Sequence, residues 1–523
     1  MSTQSPSLFI ENSALKVEVE GLRFLVKNHQ EREKRFEAEL EWFKEQLTKL
    51  TRERFGPRKE RWESEEQGIL LFNEAEVEAL KPESADSEGE NEEEVEVSGF
   101  KRKRGKRRPL PENLPREVVV LELPENEKIT EDGQPLKVIG KVVTEKFFFE
   151  PAQMKVIEYH RYRYGVDSGD PIKTAPMVPS IIPKGIVTPS LLAHIVIQKY
   201  ADGLPLYRQE EIWERQGVHL TRGSMARWII QAAQACLPIW NILEEWLLDS
   251  SYVSCDETHI QVLKEEGRKA ETQSWMWARA TPNRRQPIVL FDYDPHRSAE
   301  VAKKLLQTCR GYLQADGYGA YNWAEKAEGI VRIGCNMHGR RGFSDANKGA
   351  QAGRGLAAQG LKYYKLLYDI EEKAKKKGLS PPERKALRDA EAVPIWDEMK
   401  SWADGQICKV PKKSYIGKGL NYFLEEYQFL RGYLLDGNLE IDNGYVERSI
   451  RKFGIGRNNW MFSDTPEGAD ASALLYSLVV TAKLNGVNPY QALRTIFERI
   501  PTATTVEDYE VLAKFLLSPD TLL

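Results

Sequence analysis

Three short acidic stretches follow one another along the chain: Cys255-Asp256-Glu257-Thr258, Ala315-Asp316-Gly317-Tyr318 and Asp442-Asn443-Gly444-Tyr445-Val446-Glu447-Arg448. Carboxylates brought together repel, and each raises the pKa of its neighbours. Such a cluster becomes useful when divalent cations neutralise it. Two ions about 4 Å apart can clamp the attacking and leaving oxygens of a phosphate. Oxygen ligands suit Mg²⁺, with Mn²⁺ as a substitute, and no zinc is expected. This reading selects Asp256, Asp316 and Glu447, both as catalytic residues and as metal ligands. Glu257, Asp292, Asp294 and Asp442 are the competing carboxylates.

The elements around the acids can be read from pattern. Asp256 interrupts an apolar, β-prone run (Tyr252, Val253, then Ile260, Val262, Leu263) and so projects from a strand. Asp316 closes the run Gly311 to Ala315 at a strand's C-terminal end, and Glu447 opens a helix-like stretch. Ser274 to Arg279 and Pro287 to Phe291 read as further strands, and Ile330 to Cys335 as a fifth. A helical pattern runs from Ala299 to Cys309, with Val301, Leu305 and Leu306 on one face. Acids on a strand, a strand end and a helix are the arrangement of an RNase H-like core: an α/β fold with a mixed sheet and flanking helices. Asp316 and Glu447 lie 131 residues apart, more than one crossover needs. The excess, 345–437, reads as an inserted helical module.

Several longer stretches resemble one family. They are Lys199 to Gln209, Leu313 to Tyr318, His338-Gly339-Arg340-Arg341-Gly342-Phe343, Ile441 to Arg451, and Thr481-Ala482-Lys483-Leu484-Asn485-Gly486. Colinear and spread over about residues 110 to 495, they resemble bacterial DDE transposases of the insertion-sequence sixty-six family. The resemblance implies Mg²⁺-dependent cleavage at element ends and attack of the freed 3′-hydroxyl on target DNA, with Asp256, Asp316 and Glu447 as the triad. It also implies small accessory proteins as partners. Two departures stand out. The family's cysteine-rich zinc module has no counterpart, because 111–185 contains no cysteine, and Gly444 replaces a more usual second Asn.

Composition fits a large cytoplasmic protein of several domains. The five cysteines of this 523-residue chain are odd in number and far apart, which argues against a disulfide framework. No apolar run approaches about 18 residues, so no membrane span is expected. The net charge of −4 looks poor for a DNA-binding protein, but eight acids fall between Glu83 and Glu96 with no base among them. The remainder is therefore net positive. Directly after comes Lys101-Arg102-Lys103-Arg104-Gly105-Lys106-Arg107-Arg108, a block able to neutralise phosphates or to pair with the acidic run. Ahead of it, Leu15, Val19, Leu22, Val26, Phe36, Leu40, Phe43, Leu47 and Leu50 form a heptad-like stripe, which argues for a dimerising coiled coil.

A helix from Leu206 to Arg215, a turn at Gly217 and a second helix from Arg222, N-capped by Thr221, give a helix-turn-helix layout. It would offer Arg222, Ser224 and Arg227 to double-stranded DNA. Further DNA contacts are expected from Arg340, Arg341, Arg451, Lys452, Arg457 and the Lys101–Arg104 block. Cys335, His338 and Arg448 are auxiliary to the acids rather than ligands. The expected order is a coiled coil at 1–55, a charged disordered linker at 56–110 and a β-rich piece at 111–185. A helical DNA-binding region at 186–248 leads to the first part of the core at 249–344. The insertion at 345–437, the last part of the core at 438–495 and a tail at 496–523 complete it. Two other functions compete with transposition: a catalytically silent DNA-binding relic, and a structure-specific nuclease of the same fold.

Overall fold

A computed structural model describes residues 156–164, 173–174, 176–282, 285–349 and 355–518, with Val19 and the segments Glu94–Val97 and Phe100–Lys103 ahead of them. The heptad stripe, Val19 apart, and residues 104–155 lie outside the described residues. The chain divides into two compact units, Pro57–Pro176 and Met1–Gly56 with Met177–Leu523.

In the first unit, β1 (Glu94–Val97) and β2 (Phe100–Lys103) pair antiparallel, with Glu94 opposite Lys103, Val95 opposite Arg102 and Glu96 opposite Lys101. These two strands fall within the stretch expected to be a linker, and Lys101, Arg102 and Lys103 belong to β2. A two-residue pair, β3 (Arg163–Tyr164) with β4 (Lys173–Thr174), comes next.

The second unit begins with α1 (Pro189–Tyr200), α2 (Leu206–Arg215) and α3 (Arg222–Leu248). Gly217 takes φ +77° at the turn, where a side chain would be strained. The Thr221 hydroxyl caps α3 by accepting from Ser224 N. The helix runs 27 residues, because Trp228, Ile229, Cys236, Ile239 and Leu243 keep one face buried. The Lys199–Gln209 motif has a local structural role. Gln209 is buried and donates from Nε2 to the carbonyls of Ile195 and Leu204, bracing the α1–α2 turn.

Five strands then form one sheet in the order β7-β6-β5-β8-β9. β5 (Tyr252–Gln261), β6 (Gln273–Ala280) and β7 (Val289–Asp294) are antiparallel neighbours. After α4 (Ala299–Leu306), β8 (Gly311–Gln314) and β9 (Ile330–Ile333) extend the sheet in parallel. α5 (Asn336–Gly349) succeeds β9 and runs through residue 345, so core and insertion share a helix.

The insertion comprises α6 (Leu356–Lys376), α7 (Pro381–Leu387), α8 (Val393–Ile407), α9 (Tyr415–Glu425) and the short α10 (Tyr427–Leu430). It has its own aromatic core, in which Trp396 stacks on Phe423 at 6.0 Å and Phe343 of α5 packs beside Tyr364. A Cβ on Gly342 would sit 2.7 Å from Gly419 Cα, so the two glycines let α5 and α9 cross in close contact.

α11 (Gly444–Trp460), α12 (Pro466–Leu484), α13 (Pro489–Arg499) and α14 (Val506–Lys514) complete the chain. α12 is buried on nearly every side and satisfies the free edge of β7. Thr481 Oγ1 accepts from Val289 N at 3.1 Å and donates to Val289 O at 3.0 Å, while Ser477 Oγ accepts from Phe291 N at 2.8 Å. A bare strand edge invites pairing with another chain, and two hydroxyls close this one. Among the described residues, no helix is long and apolar enough to cross a membrane.

Candidate active site

β5 carries Asp256 in the middle of the sheet, Asp316 lies two residues beyond β8, and Glu447 occupies the first turn of α11. The positive end of a helix favours a carboxylate there. The acids share one electrostatic neighbourhood. Burial, then the charges of Glu257, Glu447 and Asp316, push the Asp256 carboxyl well above the usual range. Burial also raises Glu447, against the opposing pull of Arg341 and Arg451. Asp316 is fixed by an Asx-type turn in which Oδ1 accepts from Tyr318 N at 2.9 Å.

Among the described residues, the oxygens of these three acids do not all fall within 4.8 Å of one another. The trio that meets that distance is Cys335, His338 and Glu447. Cys335 Sγ stands 3.9 Å from Glu447 Oε1, and His338 Nδ1 stands 3.5 Å from the same oxygen. His338 Nδ1 has no hydrogen-bond partner. Burial, with Arg341 next, lowers the His338 pKa to about 4, so the ring is neutral at neutral pH. The sequence reading placed Cys335 and His338 beside the acids, and the structure brings both against the third one.

The competing carboxylates are held by other groups. Glu257 receives the half-buried Arg297 at 2.6 Å and the buried Tyr321 hydroxyl at 2.5 Å. Asp292 is paired with the fully buried Arg279 at 3.0 Å. Asp442 accepts from the Tyr368 hydroxyl at 2.6 Å and from Gly444 N at 2.8 Å. A carboxylate committed to such partners has little capacity left for an ion.

A frame of neutral hydrogen bonds fixes the acids' elements to one another, and the sequence reading missed it. Buried Asn443 donates from Nδ2 to Cys255 O at 2.9 Å, and its N–H points at Cys335 Sγ at 3.3 Å. Gln314, two residues before Asp316, donates to the carbonyls of Gly334 and Glu440 and accepts from the Tyr252 hydroxyl. Asn336 Nδ2 bridges the carbonyls of Leu430 and Ile441, both at 2.9 Å. The available signal was amide side chains at apolar strand ends and beside an acid, where burial obliges them to bond.

The expected DNA contacts divide. Arg222, Arg227, Arg340, Arg341, Arg448 and Arg451 are exposed. Arg227 Nη2 donates to Ser224 Oγ at 3.1 Å, so Ser224 already has partners in its own helix. Arg457 is turned onto β5, bonding Thr258 Oγ1 at 3.1 Å and the carbonyl of His259, which makes it a brace for that strand rather than a free DNA contact. Lys452 lies five residues from Glu447, about 140° round the helix. It lines a separate recess with Tyr200, Asp202 and Lys483, away from the acids.

Comparison with known proteins covers most of the chain. A family model described as "Transposase IS66 family" matches residues 184–471, one described as "Transposase C of IS166 homeodomain" matches 42–119, and one described as "IS66 C-terminal element" matches 477–513. The uncharacterized protein y4hP of Sinorhizobium fredii (strain NBRC 101917 / NGR234) is 28% identical over 485 residues, 89% of this chain and 87% of that protein. From the same organism, the uncharacterized protein y4jD is 31% identical over 77% of this chain and 80% of its own length.

Proposed function

The chain belongs to the IS66 transposase family, whose transposase role it carries in three matched regions, and we propose that it cleaves insertion-element ends and joins them to target DNA by DDE chemistry. The observation that carries the reading is the half-buried set Asp256, Asp316 and Glu447 on β5, after β8 and at the start of α11, in which Asp316 and Glu447 raise the Asp256 pKa. The sheet order β7-β6-β5-β8-β9, with three antiparallel and two parallel strands, supports an RNase H-like core. Acids on β5, after β8 and on the next core helix fit that core.

The donor set suits hard divalent cations. Three carboxylates at one centre suit a pair of such ions. Asp256 and Asp316 would bind the ions, and Glu447 would complete the second. Two Mg²⁺ ions would supply the charge that stabilises an in-line displacement at phosphorus. The protein's own contribution is to hold the carboxylates oriented, and to present Arg340, Arg341, Arg448 and Arg451 to the phosphates of double-stranded DNA. Dimerisation through residues 1–55 and accessory proteins of the same element belong to this reading as well.

The test is Mg²⁺- or Mn²⁺-dependent cleavage and joining on DNA carrying the element's ends, comparing wild type with Asp256→Asn. Loss of both in the variant supports the triad. Binding without cleavage under every condition favours the relic, and cutting of branched DNA irrespective of end sequence favours the nuclease.

A further inference from the structure

The Cys335, His338 and Glu447 cluster has a chemistry different from that of the acids. We propose that these three residues form a soft-metal site, specific for Zn²⁺-class cations, that takes Glu447 out of the acid set when it is filled. In a tetrahedral zinc site, bond lengths near 2.1 Å to oxygen or nitrogen and 2.3 Å to sulfur put neighbouring ligands about 3.4–3.6 Å apart. Glu447 Oε1 is already 3.5 Å from His338 Nδ1 and 3.9 Å from Cys335 Sγ. The third edge closes within 4.8 Å. A shift of a few tenths of an ångström along the Glu447–Cys335 edge, and a side-chain turn along the third, complete the triangle and leave a fourth position for water.

Burial, and then the charges of Glu447 and Asp442, hold the Cys335 thiol well above its ordinary pKa, so it is a bound cation that would draw out the thiol proton. Backbone N–H groups of Asn443 and His338 point at its sulfur, and Cys335 immediately precedes α5, where free N–H groups favour negative charge. A thiolate and a carboxylate together balance a divalent ion, and the neutral imidazole adds no charge. His338 Nδ1, buried and otherwise unpartnered, gains a ligand. Cys335 is fully buried, whereas the side chains of His338 and Glu447 are 15% and 14% exposed, so an ion would enter from the acid side. Sulfur and nitrogen ligands reject Mg²⁺, which keeps this site distinct from the all-oxygen one.

The site stands on ligand geometry, while its inhibitory consequence rests on the proposed reaction. It is tested on the full chain without DNA, with the exposed Cys408 replaced by Ser in every variant. Metal-free protein is titrated with Co²⁺ and then with Zn²⁺, tracking the thiolate-to-cobalt charge-transfer band. One Co²⁺ bound with that band, displaced by Zn²⁺, is the expected result. Cys335→Ser should abolish the band. His338→Ala and Glu447→Gln should weaken binding about tenfold or more, roughly 1.4 kcal/mol. Asp256→Asn should bind Co²⁺ as wild type does. A band that survives Cys335→Ser in a normally folded variant, affinity unchanged in both His338→Ala and Glu447→Gln, or no binding at micromolar Co²⁺ would overturn the site. None of these readouts depends on cleavage, so failure of the transposase reading leaves a separate signature.

Discussion

Asn443 donates its Nδ2 hydrogen to the carbonyl of Cys255 at 2.9 Å, tying the residue before Asp256 to the chain just ahead of Glu447. The first and third acids therefore reach their places through one buried amide as well as through the sheet. Asn443→Ala leaves the Cys255 carbonyl unpaired and frees the start of α11, displacing Glu447 without altering its chemistry. The expected result is a fall in turnover on the order of a hundredfold, the effect of a shift of about 1 Å. Affinity for DNA ends should change little. Single-turnover cleavage rates alongside DNA titration check this, and a turnover equal to wild type would remove Asn443 from the positioning frame.

The acids also govern the stability of the metal-free protein. Burial first, and then Glu257, Glu447 and Asp316, hold the Asp256 pKa well above its ordinary value. An acid with a raised folded-state pKa favours the folded state while it is protonated. That contribution is full below the unfolded pKa, about 3.9, and is lost as pH rises through the folded value. Asp256→Asn removes the titration, so without divalent ions its melting temperature should exceed that of wild type, by more at about pH 8 than at about pH 5. Mg²⁺ should raise the melting temperature of wild type and have a smaller effect on the variant. A variant less stable than wild type at the higher pH, without metal, would show that the cluster's repulsion is not what the charge arrangement implies.

The helical insertion is locked to the segment that leads into Glu447. Arg388 is fully buried and donates to both Glu371 oxygens at 2.8 Å and to the carbonyls of Tyr433, Asp436 and Leu439. Arg384 joins the same Glu371 to Glu440, whose carbonyl is held by Gln314. Removing one partner of a buried ion pair costs about 3–5 kcal/mol. Arg388→Met should destabilise by an amount near the lower figure, because Arg384 still neutralises Glu371. It should also slow cleavage by loosening the approach to α11. Denaturant unfolding measures the first effect and single-turnover cleavage the second; an unfolding free energy unchanged from wild type would exclude the lock.

The sequence made the strands legible because each one around Asp256 and Asp316 carries its own alternation or apolar run; their order, with β8 beside β5 rather than beside β7, was not. The places of Asp256, Asp316 and Glu447 on a strand, after a strand and in a first helical turn were legible because the run flanking each acid shows its element. The frame around them was not. Asn443, Gln314 and Arg388 bond residues from 17 to 188 positions away, and no local period encodes such pairs. Arg457 and Lys452 show the same limit from the other side. Both sit on the helix of Glu447, but rotation about that helix sends one to β5 and the other to a separate recess. The β1–β2 pair was hidden because its composition reads as a charged linker.

The end of α11 stores backbone strain. Met461 takes φ 68° and ψ −43°, and Phe462 N bonds Trp460 O at 2.8 Å across it, a tight three-residue turn of the rare hand. Such a conformation in a residue with a side chain costs about 1–3 kcal/mol. The Met461 side chain is 69% exposed, so little packing offsets that cost. Two backbone bonds just beyond it impose the turn. Ser463 N donates to Gln261 O, and Leu263 N donates to Ser463 O, which docks the chain on the end of β5. Met461→Gly keeps both bonds and relieves the strain, so the variant should be more stable by about 1 kcal/mol, net of glycine's larger unfolded entropy. Denaturant midpoints at constant slope measure this. A destabilised variant would mean that the exposed methionine makes contacts that outweigh its backbone.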